Sequence, residues 1–273
     1  MAGAWSLLGE QNCGSLVSVR LSDNRHLVCR RPYGTQSAVP VRFNLDGDPY
    51  DDVAVYEPST STLFVTPSGG VCSPTIPAAV RGNDGRWICA VSFGLPGDQV
   101  VSGDFDRDGR SDLAVWRPSS GYFHVLPSSG VGLASQYQVR WGLPGDIAVP
   151  GRYIHAQRSS FAVYRPSEGN WYLASDTGEC PTGFDHRGTT GGVTACVRQF
   201  GLATDVPMPQ DYDGDGLTDI GLLRPSTGEW LVVPSMVSCP ATVPTPFVNS
   251  DRRPGCRTVF GPPGAVPLSG ARP

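Results

Sequence analysis

The apolar positions of this chain fall into short strand-like runs, and the runs repeat. Four of them align residue for residue: Val53-Ala54-Val55-Tyr56-Glu57-Pro58-Ser59, Leu113-Ala114-Val115-Trp116-Arg117-Pro118-Ser119, Phe161-Ala162-Val163-Tyr164-Arg165-Pro166-Ser167 and Ile220-Gly221-Leu222-Leu223-Arg224-Pro225-Ser226. Upstream of each sits an aromatic-Gly turn, Tyr33-Gly34, Phe93-Gly94, Trp141-Gly142 and Phe200-Gly201; a fifth, Phe260-Gly261, lies near the C-terminus. Each unit of about 50–60 residues predicts four short strands, A to D. Strand A follows the aromatic-Gly turn, strand B is the apolar run, strand C follows the Pro-Ser-x-Gly turn, and strand D leads into the next aromatic-Gly. Short strands at regular spacing, with turn signals between them, predict an all-β array, and four strands per repeat make the blade of a β-propeller.

The two ends read as halves of one further unit. Gly270-Ala271-Arg272-Pro273, continued into Met1-Ala2-Gly3-Ala4-Trp5, resembles the stretch from Tyr164 to Trp171, with Trp5 at the strand-C position. The expectation is therefore a single five-bladed β-propeller over residues 1–273, with mostly four-stranded antiparallel blades. Blades span 33–92, 93–140, 141–199 and 200–259; residues 1–32 supply strands C and D of a closing blade, and 260–273 its strand A. Pairing the first and last strands removes exposed sheet edges. Strand B and its loop are missing from that closing blade.

Composition narrows the setting. The 34 Gly and 26 Pro recur at fixed places between strands and so report turn chemistry, not disorder. A net charge of −4 with no basic stripe argues against a nucleic-acid partner. All 21 basic residues are Arg, which excludes lysine nucleophiles. No apolar run approaches the ~20 residues needed to span a bilayer, so no membrane insertion is expected. The N-terminus carries neither the charged region nor the apolar length of a signal peptide.

The eight cysteines form four close pairs, Cys13/Cys29, Cys72/Cys89, Cys180/Cys196 and Cys239/Cys256. Each pair brackets a loop between strands C and D. Zinc would call for Cys-x-x-Cys knuckles or companion His, and neither occurs. Four local disulfides are expected, each worth about 3 kcal/mol in the chain-entropy model. They imply an oxidising compartment, hence a secreted or cell-surface protein. A further pairing is expected between the aromatic-Gly turns and the ends of strand B: Asp98 with Arg117, Asp146 with Arg165, and Asp205 with Arg224. Exposed pairs of this kind contribute only ~0–1 kcal/mol and would serve to fix the turns.

The densest chemistry lies between strands A and B. Three nine-residue loops run Asn44-Leu45-Asp46-Gly47-Asp48-Pro49-Tyr50-Asp51-Asp52, Asp104-Phe105-Asp106-Arg107-Asp108-Gly109-Arg110-Ser111-Asp112 and Asp211-Tyr212-Asp213-Gly214-Asp215-Gly216-Leu217-Thr218-Asp219. Side-chain oxygens recur at positions 1, 3, 5 and 9, with a backbone carbonyl expected from position 7 (Tyr50, Arg110, Leu217). An all-oxygen set so rich in carboxylate suits Ca²⁺ better than a hydrated Mg²⁺. Eleven of the 25 acidic residues stand at these matching positions, where they repel unless a cation joins them. Three Ca²⁺ sites are expected. The third blade has Arg152-Tyr153-Ile154-His155-Ala156-Gln157-Arg158-Ser159-Ser160 at these positions; its carboxylates are gone, and Arg152 is the candidate to replace the ion's charge.

The loop Asp-x-Asp-x-Asp-Gly-x-x-Asp together with the aromatic-Gly turn resembles the FG-GAP/VCBS repeats of integrin-α-like and calcium-containing lectin-like propellers, over nearly the whole chain. The resemblance implies a propeller fold and calcium strongly, and function only loosely; most propellers of that kind have seven blades.

Three readings of function follow. The first is an extracellular binding module for a glycan or a surface protein, its divergent disulfide loops carrying mixed aromatic and polar residues: Asp23, Asn24, Arg25 and His26; Asn83, Asp84, Arg86 and Trp87; Phe184, Asp185, His186 and Arg187. The second is a structural subunit of a surface layer or appendage, with self-association through the loop faces. A five-bladed glycosidase is the weaker third, since no pair of free carboxyl groups stands at axis-facing strand positions. No catalytic residue is assigned.

Overall fold

The structure, a computed structural model, describes residues 4–9, 17–20, 27–32, 35, 37–81, 87–190, 192–235, 239, 243–248, 254–259 and 264. Among them the fold is all-β, with a single 3-10 turn at Gly132–Ser135 and antiparallel pairing in every sheet.

An N-terminal sheet of β1 (Ala4–Gly9), β2 (Val17–Arg20) and β3 (Leu27–Pro32) is ordered β1-β3-β2. Blade I comprises β4 (Val39–Phe43), β5 (Asp52–Glu57), β6 (Thr62–Thr66), β7 (Ala78–Arg81) and β8 (Trp87–Ser92), ordered β4-β5-β6-β8-β7. Blade II comprises β9 (Gln99–Gly103), β10 (Asp112–Arg117), β11 (Tyr122–Leu126) and β12 (Tyr137–Arg140), in chain order. Blade III opens with β13 (Ile147–Ala148), followed by a separate hairpin of β14 (Gly151–His155) and β15 (Arg158–Ser160). It continues with β16 (Ala162–Arg165), β17 (Asn170–Ser175), β18 (Asp185–Thr190) and β19 (Val193–Gln199), ordered β13-β16-β17-β19-β18. Blade IV is β20 (Val206–Pro207), β21 (Ile220–Arg224), β22 (Glu229–Val233), β23 (Thr245–Val248) and β24 (Pro254–Val259), ordered β20-β21-β22-β24-β23.

The sheets stand in a propeller ring, and its core lies between neighbours. One apolar cluster joins blades I and II (Tyr56, Leu63, Leu113, Val115), one joins II and III (Trp116, Phe123, Phe161, Val163), and one joins III and IV (Tyr164, Trp171, Leu222, Leu231). This explains why strand B is apolar throughout and not alternating: Leu113 to Trp116 are 0% exposed, buried on both faces. The aromatic-Gly turn has a matching cause. Gly142 has φ +116°, and a Cβ there would lie 2.6 Å from Trp116 Cη2 of the preceding blade. Gly201 has φ +131° and is closed off in the same way by Tyr164 Oη at 2.5 Å, so only glycine fits either turn.

Two expectations about the blades are corrected. The ring holds four blades, not five. The described residues among 4–32 make a three-stranded sheet, and the sequence there has no counterpart of the apolar strand B to build a blade around. The proposed strand A, 260–273, lies outside the described residues except for Gly264, whose N–H donates to Pro225 O at 2.7 Å. Four strands per blade is also too few. In blades I, III and IV the cysteine-bracketed segment returns as a fifth strand (β7, β18, β23) paired outside strand D. These loops are long enough to fold into hairpins, which satisfies backbone groups that an irregular loop would leave to water.

Three disulfides, Cys72–Cys89, Cys180–Cys196 and Cys239–Cys256, tie those hairpins to strand D with Cα separations of 5.6, 5.4 and 5.5 Å. They indicate folding in an oxidising environment. Three of the four expected bridges thus form; the fourth expectation, Cys13–Cys29, falls on Cys13 and so lies outside the described residues. The backbone of Cys29 stands on β3, in register with Leu7 of β1 and Ser18 of β2. Its expected partner, Cys13, lies outside the described residues, so no bridge to Cys29 is among the three. Replacing Cys180 and Cys196 by Ala is expected to cost about 3 kcal/mol, read from denaturant unfolding of variant and parent; an unchanged midpoint would contradict the loop-closure argument.

All three Asp–Arg pairs form, as two-pronged forks. Arg117, Arg165 and Arg224 each place Nε and Nη2 on one carboxylate, at 2.9 and 2.8, 2.8 and 2.9, and 3.0 and 2.8 Å. Each carboxylate also accepts a turn N–H, from Leu95, Leu143 and Leu202. They are not the exposed pairs expected: the Asp98, Asp146 and Asp205 side chains are 3, 1 and 0% exposed.

Candidate metal centres

The three acidic loops share one hydrogen-bond pattern. The position-1 oxygen caps the turn, with Asn44 Oδ1 accepting from Gly47 N, Asp104 Oδ1 from Arg107 N and Asp211 Oδ1 from Gly214 N, at 2.7, 2.7 and 2.6 Å. Position 3 accepts the N–H of position 5, Asp46 from Asp48, Asp106 from Asp108 and Asp213 from Asp215. Position 5 accepts that of position 7, at Tyr50, Arg110 and Leu217. The second oxygens are engaged as well: Asp104 Oδ2 accepts from Gly109 N and Asp211 Oδ2 from Gly216 N, at 3.0 and 2.9 Å.

In two loops the carboxylates converge. Asp104, Asp106 and Asp108 form one trio, and Asp211, Asp213 and Asp219 another, each with a carboxylate oxygen from every member within 4.8 Å of the others. Among the described residues, Asp46, Asp48 and Asp52 form no such trio; there position 1 is the neutral Asn44, whose amide donates to Asp48 O. Asp112 lies outside the first trio and Asp215 outside the second.

Position 9 does something the sequence did not disclose. Asp52, Asp112 and Asp219 are buried, at 6, 0 and 1% exposure. One oxygen of each accepts the position-2 N–H (Leu45, Phe105, Tyr212), and the other accepts a serine N–H from beyond strand C (Ser68, Ser128, Ser235), all at 2.6–2.8 Å. They therefore brace the loop against the C–D connection. Burial raises all three, Asp112 to about 6, and raises Asp104 as well. The serine hydroxyls donate to position 5, at Asp48, Asp108 and Asp215, at 2.6, 2.7 and 2.6 Å. A signal for these serines exists in the chain: Pro67-Ser68, Pro127-Ser128 and Pro234-Ser235 each begin fifteen residues after position 9.

The loops are also joined in series. Ser111 N donates to Asn44 O, Ser159 N to Asp104 O and Thr218 N to Arg152 O, at 2.7, 2.7 and 3.1 Å, so position 8 of each blade holds position 1 of the one before.

In blade III the charge is rearranged, and by a different arginine from the one expected. Arg152 contributes its backbone, with its N–H on Thr218 Oγ1 at 2.9 Å. Arg158, at position 7, is the cation instead: its Nη1 pairs with Asp176 and its Nε donates to Phe105 O at 2.9 Å. Asp176 occupies the place held elsewhere by Ser68, Ser128 and Ser235, and Arg107 of blade II reaches it at 3.5 Å. An internal ion pair stands where its neighbours gather carboxylates.

Of the hairpin residues considered for ligand contact, Trp87 stacks under Arg81 with the guanidinium carbon 4.5 Å from the ring, and Phe184 packs on the blade III–IV core. Asp185, His186 and Arg187 stand exposed on the edge strand β18. Asp23, Asn24, Arg25, His26, Asn83, Asp84 and Arg86 lie outside the described residues. No family model, curated protein or solved structure matches this chain.

Proposed function

We propose that this chain is an extracellular, calcium-stabilised propeller of the FG-GAP/VCBS kind that works as a binding module for a glycan or a surface protein, without catalytic activity of its own. The observation that carries the reading is the repeated loop: two sets of three converging carboxylates, with oxygen as the donor throughout. Such a set suits a hard cation that takes six to eight oxygens, and is too crowded with charge for a hydrated Mg²⁺. Asp104, Asp106 and Asp108 would hold one ion and Asp211, Asp213 and Asp219 another. When bound, the ion neutralises like charges that otherwise repel. The loop around Asn44, with a neutral first ligand, is the weakest of the three. Isothermal titration of chelator-treated protein with Ca²⁺ is expected to give two tight sites and at most one at least about tenfold weaker; a single site or none would refute the assignment.

The stabilised loops and the C–D hairpins emerge on one face, and a stiff scaffold bearing divergent segments is how binding surfaces are commonly built. A glycan array probed with and without EGTA tests the module. Calcium-dependent hits support it, and silence across a broad array argues for the structural reading. One observation favours that second reading: β7, β18 and β23 leave strand edges at the blade rims, which can pair with another copy. Electron microscopy would then show filaments or stacked discs.

A further inference from the structure

Around its Asp–Arg fork, blade II departs from blades III and IV. In blade III, Nη1 of Arg165, the prong not used by Asp146, meets Glu168 at 3.3 Å, and in blade IV, Nη1 of Arg224 faces Glu229 at 3.8 Å. Blade II has Ser120 and Tyr122 at those two positions, so Nη1 of Arg117 has no carboxylate among the described residues. Strand C differs too. Tyr172 of blade III fills the space under Arg165, its ring 4.3 Å from the guanidinium carbon and its hydroxyl bonded to Glu168. The residue at that position in blade II is His124, whose Nε2 is buried with no hydrogen-bond partner.

The space so left is a cleft of about 530 Å³ between blades I and II, lined by Arg117 and His124, with Thr60 and Gln136 offering polar groups and the exposed Leu95 and Leu133 apolar walls. That volume falls in the range of about 300–1,000 Å³ common to small-molecule sites. Burial, and then the charge of Arg117, hold His124 below the ordinary imidazole range, so it meets a ligand as a neutral group.

We propose that this cleft binds a small hydroxylated carboxylate of monosaccharide size, its carboxylate on Arg117 Nη1 and its hydroxyls toward Thr60 and Gln136, with His124 in the cleft wall where blade III has the larger Tyr172. The proposal rests on the binding-module reading and deepens it, since it names a site and a ligand chemistry for it. The ligand carboxylate takes the place that Glu168 and Glu229 take in the other blades, and a guanidinium whose other prongs are fixed by Asp98 is already oriented to receive it.

The test copies blade III into blade II. Ser120→Glu, at an exposed turn position, supplies the missing internal carboxylate, and His124→Tyr fills the cleft. Saturation-transfer NMR and calorimetry with D-glucuronate, using D-glucose as the neutral comparison, are expected to show glucuronate favoured by the parent. Binding should fall about tenfold or more in each variant, while calcium-dependent melting is unchanged. Absence of glucuronate binding by the parent, a preference for glucose, or undiminished binding in both variants would overturn the proposal. The glycan array run on the same variants separates the two readings. Hits that survive both substitutions place the ligand elsewhere and leave the module standing. Glucuronate binding lost in the variants, beside a silent array, supports the cleft and removes the glycan module.

Discussion

Replacing Arg224 by Ala is expected to destabilise the protein by about 3–5 kcal/mol, the cost of stranding a buried carboxylate. Asp205, its partner, is 0% exposed and held by two guanidinium bonds and the Leu202 N–H. With Arg224 in place the carboxylate is closed off from water, and the arginine is the group that closes it. The double variant Asp205→Ala/Arg224→Ala should cost less than Arg224→Ala alone, because it removes the charge together with its partner. Arg42→Ala provides the contrast: its pair with Asp51 is 79 and 48% exposed, and its loss should stay within roughly 0.5 kcal/mol. Denaturant unfolding at fixed calcium measures all three. If Arg224→Ala and Arg42→Ala cost the same, burial is not what gives the fork its weight.

This fork also shows what the chain discloses and what it withholds. The partners Asp205 and Arg224 can be read from their recurrence at fixed places in each repeat, but their burial cannot, since it arises from the neighbouring blade closing over the turn. The blades themselves were legible because strand B is buried on both faces and so stays apolar through four consecutive units. The fifth strands were not, because β7, β18 and β23 are short edge strands set inside cysteine-bracketed segments rich in Gly, Pro, Ser and Thr, which read as irregular connections. The count of five blades came from joining the chain ends by similarity; a three-stranded sheet formed where strand B was absent. In the acidic loops, the spacing of the carboxylates was plain, while the bracing role of Asp112 was hidden: its two hydrogen-bond partners, Phe105 N and Ser128 N, are backbone groups that leave no mark on composition. Arg158 was missed for a related reason, since its partner Asp176 lies in another element and only the register of β16 with β17 brings the two together.

If the acidic loops hold Ca²⁺ as proposed, removing it should reverse the protein's response to pH. With the metal chelated, the melting temperature is expected to be higher at pH 5 than at pH 7. Asp112 ionises at about 6 in the folded state against 3.8 for an ordinary aspartate, and burial raises Asp52, Asp104 and Asp219 in the same direction. A folded pKa above the unfolded one means the folded chain holds its proton more tightly. That contribution is complete below about pH 4 and is lost as the pH rises through 6. With millimolar Ca²⁺ the order inverts, because the ion requires ionised carboxylates and each site at 100 times its dissociation constant adds about 2.7 kcal/mol. Two sites then contribute roughly 5 kcal/mol at pH 7, more than the metal-free protein regains by protonation. The effect should spread beyond the loops, since Ser111 N on Asn44 O and Ser159 N on Asp104 O tie each loop to the blade before it. Melting curves from pH 4.5 to 7.5, in EGTA and in Ca²⁺, should therefore converge at the acid end and part toward neutrality. A melting temperature in EGTA that climbs from pH 5 to pH 7 would mean that burial does not make these carboxylates hold their protons in the metal-free protein.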